Sequence, residues 1–128
     1  MSEIQSVQAA NESFYRAFEK RDISAMGTVW SQGIGSLCIH PGRDALRGWH
    51  DICASWEQIF KNIQYLEIET DVISTEIVGN LAYIVLMENL LQIIRGRRLE
   101  SQTIATNIFE QMGGKWHLVH HHGSPLVS

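Results

Sequence analysis

The chain has 128 residues, of which 45% are hydrophobic, enough apolar material for a domain-sized core. A formal net charge of −4 and an isoelectric point near 5.8 supply no basic surface for nucleic acid. The longest unbroken apolar run, Leu81 to Met87, is far shorter than a membrane span, so no membrane partner is expected.

The opening MSEIQSVQ lacks a charged stretch followed by an apolar one, and a cytoplasmic location is the expectation. Residues 3–20 repeat apolar side chains at helical spacing (Ile4, Val7, Ala10, Phe14, Ala17, Phe18). Asp22 suits the N-cap of a short second helix, Ile23 to Trp30. Gly33 and Gly35 bracket Ile34, and Ser36 to Ile39 reads as a short strand stopped by Pro41-Gly42. Cys38 and Cys53 sit among apolar neighbours and read as free thiols in a reducing compartment. Trp49 to Lys61 forms the third amphipathic helix. Its Trp56 belongs to the core, and Trp49, in the first turn, is placed to meet a ligand.

After Asn62 the chain turns β-rich. Tyr65–Val78 and Leu81–Ile94 read as long strands joined at Gly79-Asn80. Arg95-Gly96 opens the next hairpin, and Arg95, Arg97 and Arg98 read as its solvated tip. Gly113-Gly114 closes the last hairpin, because a type I′ turn needs positive φ at both central positions. Helices first and sequential strands later predict an α+β fold: three N-terminal helices packed on a curved antiparallel sheet. No repeat, linker or low-complexity stretch divides the chain, so residues 1–128 are expected to form one domain.

Two-residue turns fix a register. From Gly113-Gly114, Met112 pairs with Lys115, Phe109 with Leu118, Asn107 with His120 and Ala105 with His122. From Gly79-Asn80, Ile73 pairs with Leu86 and Asp71 with Glu88; from Arg95-Gly96, Glu88 pairs with Thr103 and Ile84 with Asn107. One face then holds Asp71, Glu88, Asn107, His120 and His122. The other holds Val72, Tyr83, Val85, Met87, Ile104, Ile108 and Val119. One layer of helices covers one face only, so the second is expected to meet an identical subunit.

The element order, the segment LCIHPG and the ending GKWHLVHHHGS resemble the nuclear transport factor 2-like superfamily, most closely its SnoaL-like branch. They also resemble the association domain of calcium/calmodulin-dependent kinase II. Leu37, Cys38 and Pro41 match its strand before the third helix, and Trp49-His50 stands for its aromatic-His pair. Trp116, Val119, His120, His122 and Ser124 match its closing spacing. The resemblance implies a cone with a pocket between sheet and helices, and a dimer through the outer sheet face. Glu88 and Asn107 stand where that domain has pocket arginines, and His40 where it has a glutamate, so its ligand does not carry over.

The predicted pocket suits cofactor-free proton transfer on a small carbonyl compound: isomerisation, cyclisation or dehydration. Asp71 and Glu88 as neighbours would share a proton, one serving as general base, and His120 would relay protons. Trp49, Asn107, His122, Tyr15 and His40 would contact the ligand. His120 and His122 could also open a metal site with His40 or Glu88. No Cys set or helix-borne His pair supports that, and neither metal nor cofactor is expected. The competing readings are a binding module without turnover, and a dimerisation domain whose polar groups satisfy one another.

Overall fold

The computed structural model describes residues 2–126. Helix α1 (Glu3–Glu19) opens with a capping box, in which Ser2 Oγ accepts from the Gln5 amide and Gln5 Oε1 accepts from that of Ser2. Its buried stripe runs Val7, Asn11, Phe14, Tyr15 and Phe18, at the helical spacing that puts them on one side. Asn11 and Tyr15 therefore project one turn apart towards the sheet. Helix α2 (Ile23–Val29) is capped by Asp22, whose Oδ1 accepts from the Ala25 amide at 3.0 Å. Two short strands follow, β1 (Leu37–Ile39) and β2 (Ala45–Arg47), the second too brief to read from sequence. Helix α3 (Trp49–Asn62) starts after Gly48 at φ 84° and buries Ile52 and Trp56.

Four long strands complete the chain: β3 (Tyr65–Val78), β4 (Leu81–Ile94), β5 (Arg97–Met112) and β6 (Lys115–Pro125). The six strands form one curved sheet in the order β2-β1-β6-β5-β4-β3, antiparallel except where β1 runs parallel to β6. All three helices pack on one face over a core that includes Phe14, Trp30, Trp56, Leu86, Phe109 and Leu118. The edge strand β3 is clamped by α1, where Glu19 accepts the Ile68 N–H at 2.8 Å and Arg16 donates to its carbonyl at 3.2 Å. That occupies one residue's worth of otherwise unpaired edge.

The predicted turns hold: Val78 pairs with Leu81, Ile94 with Arg97 and Met112 with Lys115. The β4–β5 register follows as expected, with Glu88 opposite Thr103 and Ile84 opposite Asn107. Two β-bulges overturn the rest. On β3 the extra residue, Ile73, leaves Thr70 opposite Glu88 and sets Asp71 opposite Met87. Asp71 is exposed and accepts from Asn89 on the outer face, so the Asp71–Glu88 carboxyl pair does not form. On β6 the extra residue, Val119, leaves Ile108 opposite His120 and Asn107 opposite His121. Because side chains alternate, this turns His120 and His122 to the outer face and brings His121 inside.

Candidate functional site

Inside the cone, two asparagines, a tyrosine, a glutamate, a threonine and a histidine meet in a region otherwise lined by aromatic rings. Tyr15 Oη donates to Glu88 Oε2 at 2.6 Å, and Thr103 Oγ1 donates to the other carboxyl oxygen. Asn107 Nδ2 donates to Asn11 Oδ1 at 2.9 Å and to Tyr15 Oη at 3.0 Å. Both its N–H groups are thereby used, so Asn107 Oδ1, 2.6 Å from His121 Nδ1, accepts from that ring. His121 thus carries its proton on Nδ1 and a lone pair on Nε2. The elements dictate this convergence. Asn11 and Tyr15 are one turn apart on α1, while Glu88, Thr103, Asn107 and His121 are inward positions of β4, β5 and β6.

All of these groups are shut off from bulk water: Glu88 is 3% exposed, His121 2%, and Tyr15 and Asn107 0%. Burial raises the Glu88 pKa, against the pull of the Thr103 and Tyr15 hydrogen bonds and of His40. Two hydroxyl donors on two oxygens suit a carboxylate, whereas the dry surroundings suit the neutral acid, so the site supports either protonation state. Burial, reinforced by the Glu88 charge, lifts the Tyr15 hydroxyl well above its ordinary range. Burial also drives His121 down to about 3, with His120 and His122 adding to the effect, and the ring stays neutral.

His40 forms the link to the surface. Ser55 Oγ spends its proton on the Ile52 carbonyl at 2.7 Å and so accepts from His40 Nε2 at 3.0 Å. Cys38 Sγ lies 3.7 Å from the same nitrogen, and Trp56 stands edge-on to the ring at 4.8 Å. Burial lowers His40 to about 4, with His121 and Arg43 contributing, and burial pushes the Cys38 thiol up to about 12, leaving it unreactive. His40 and Ser55, with Gly42, Arg43, Asp44 and Leu46, line an open concavity of about 440 Å³. Gly123 closes the floor between His40's neighbour Pro41 and Glu88. A Cβ there would lie 3.2 Å from Pro41 Cγ and 3.9 Å from Glu88 Oε1.

Of the residues singled out by sequence, Glu88, Tyr15, Asn107 and His40 lie in or beside this cluster. Asp71, His120 and His122 lie on the outer face. Trp49 packs on Trp30 with ring centroids 6.4 Å apart, beside a separate concavity of about 860 Å³ that also includes Ile34, Arg47 and Cys53. Sequence reasoning missed Asn11 and His121. Asn11 was legible in principle, being one turn before Tyr15 on the apolar stripe; His121 depended on a bulge that no residue announces. Among the described residues, no cluster of His, Cys, Asp and Glu has metal-holding geometry.

The sequence profile of the SnoaL-like domain matches residues 7–128. Among solved structures, a candidate dehydratase of the nuclear transport factor 2-like family from Streptomyces avermitilis is 26% identical, with TM-score 0.91 over 98% of this chain and 97% of that one. A candidate calcium/calmodulin-dependent protein kinase type II association domain from Thiobacillus denitrificans is 28% identical, with TM-score 0.85 over 94% of each chain. A ketosteroid isomerase-like protein from Erwinia carotovora, at 14% identity and TM-score 0.88 over 99% and 98% of the two chains, shares the fold. The F-box protein SKIP8 of Arabidopsis thaliana is 27% identical over 122 residues, 95% of this chain; the chain spans about half the length of that curated relative.

Proposed function

The chain belongs to the SnoaL-like domain family, and from that premise we propose that it binds a small carbonyl compound and moves a proton on it through Glu88. The ligand reaches the cluster from the concavity at His40, and access to Glu88 requires the Pro41–Gly42 segment over Gly123 to shift. Glu88, as carboxylate, takes a proton from carbon next to the carbonyl and returns it at another position, the chemistry of an isomerase, cyclase or dehydratase. Tyr15 and Thr103 hold the carboxyl group, Asn107 and His121 fix the Tyr15 hydroxyl, and neutral His40 offers the ligand a hydrogen-bonding group. The observation that carries this reading is a buried carboxyl with a raised pKa held by two hydroxyl donors, an arrangement that simple core packing does not need. Two thiols without a disulfide accord with work in a reducing compartment. The test is native mass spectrometry of gently purified protein, wild type and Glu88→Gln. A co-purified small molecule retained by the wild type and lost from the variant is the expected result; equal retention by both overturns the role of Glu88.

A second reading, an association module, draws on the outer sheet face. Tyr83 is 40% exposed there, beside the half-buried Val85, Met87, Ile104 and Ile108, and among the described residues the helices all pack on the opposite face. The two readings are compatible, and a homodimer through this face belongs to both.

A further inference from the structure

The wall between the His40 concavity and Glu88 belongs to the lightest part of the sheet. Strand β2 pairs with β1 alone, and β1 joins the other strands through three positions on β6. The base of this hairpin is held, because the Gly48 N–H donates to the Ser36 carbonyl at 2.8 Å and Leu46 packs against the core. Its tip, residues 40–44, is held less. Pro41, Gly42, Arg43 and Asp44 are exposed, and the turn closes on itself, with the Arg43 N–H donating to the His40 carbonyl at 3.0 Å. Gly42 stands at φ 73°, a bend that a residue with a side chain rarely adopts.

Two neighbouring rings tie this tip to the interior. His40 Nε2 donates to Ser55 Oγ on α3 at 3.0 Å. Pro41 fills the space left by the missing side chain of Gly123, and Glu88 Oε1 borders that same space from within. The hydrogen bond stands beside open concavity, where water replaces it on opening, so its net contribution is small. A segment with so few buried contacts opens more readily than the fold as a whole. Resting on the reading that the ligand enters at His40, we propose that residues 40–44 form a gate over Glu88, hinged at the ends of β1 and β2 and latched by the His40–Ser55 hydrogen bond. Opening breaks the latch, swings the His40 ring outward and lifts Pro41 off Gly123, which joins the concavity to the carboxyl group. Closure restores the dry surroundings of Glu88 around a bound molecule.

Cys38 reports the opening without any ligand. Its thiol is fully buried and lies 3.7 Å from His40 Nε2, so departure of that ring uncovers it. Cys53→Ala leaves Cys38 as the one thiol of the chain. Methyl methanethiosulfonate then labels it: the Cys38 thiolate attacks the reagent's sulfenyl sulfur, a mixed disulfide forms and methanesulfinate leaves. The labelling rate in dilute buffer, divided by the rate in the urea-unfolded chain, gives the open fraction, which is compared with the globally unfolded fraction from urea titration. The open fraction is expected to exceed the unfolded one about a hundredfold or more and to depend only weakly on urea. Ser55→Ala keeps a good helix former in α3 and is expected to raise the open fraction about five- to tenfold at little change in global stability. Labelling that occurs only through global unfolding, with its full urea dependence, overturns the gate. Fast labelling that Ser55→Ala leaves unchanged overturns the latch. Neither outcome touches the role of Glu88, which ligand retention by wild type and Glu88→Gln tests separately.

Discussion

Tyr15 holds two partners at once: its hydroxyl proton goes to Glu88, and its oxygen accepts from Asn107. Tyr15→Phe removes both bonds while keeping the ring that packs edge-on against Phe14 at 4.8 Å. It leaves a buried carboxyl oxygen and a buried amide N–H each short of a partner, at about 1–3 kcal/mol for each such group. Protonation of Glu88 recovers part of that loss, so a net destabilisation of about 2 kcal/mol is expected, read as a fall in the urea midpoint at unchanged slope. No change in the midpoint would mean that the Tyr15 hydroxyl contributes nothing net to the fold.

The elements and the hairpin turns were readable because each has a local chemical cause. Gly113 and Gly114 sit at φ 58° and 76°, as a type I′ turn requires, and the ranges of β3 and β4 follow from their β-branched content. The bulges at Ile73 and Val119 have no such cause in their own residues; they fit the sheet's curvature around three helices, a tertiary demand. One unread residue on β6 therefore exchanged His120 for His121 as the partner of Asn107. The same bulge brings Gly123 inward, opposite Ala105 and under Pro41, with room for no side chain. Gly123→Ala would press a methyl group against a proline ring that cannot rotate away, and a destabilisation of about 1–2 kcal/mol is expected. Gly35→Ala, where nothing lies within 4 Å of the added carbon, serves as the control in the same thermal unfolding experiment. Equal effects at the two positions would show that the floor over Glu88 yields.

Across the whole molecule, the buried cluster sets how stability depends on pH, with two opposing signs. The folded-state pKa values of His121 and His40, about 3 and about 4, lie below the ordinary histidine value, so between there and pH 6.5 the unfolded chain binds protons that the folded chain refuses. Their contribution is complete above pH 6.5 and is lost as pH falls through this window, by up to roughly 1.4 kcal/mol per pH unit for each fully titrating group. His120, also lowered by burial and by His122, adds in the same direction. Glu88 opposes them. Its folded pKa is raised, so the folded state binds its proton first, and the resulting stability is present at low pH and lost as pH rises through that raised value. The wild type should accordingly lose stability on acidification, less steeply than its histidines alone would dictate. Glu88→Gln removes the opposing proton. Urea unfolding at pH 7.5, 6.0 and 5.0 should then show a slope steeper by up to about one proton in the interval just above pH 4.5. The same slope in both proteins would mean that Glu88 ionises in the folded state as it does in the unfolded chain, and the raised pKa on which its proton chemistry depends would fall with it.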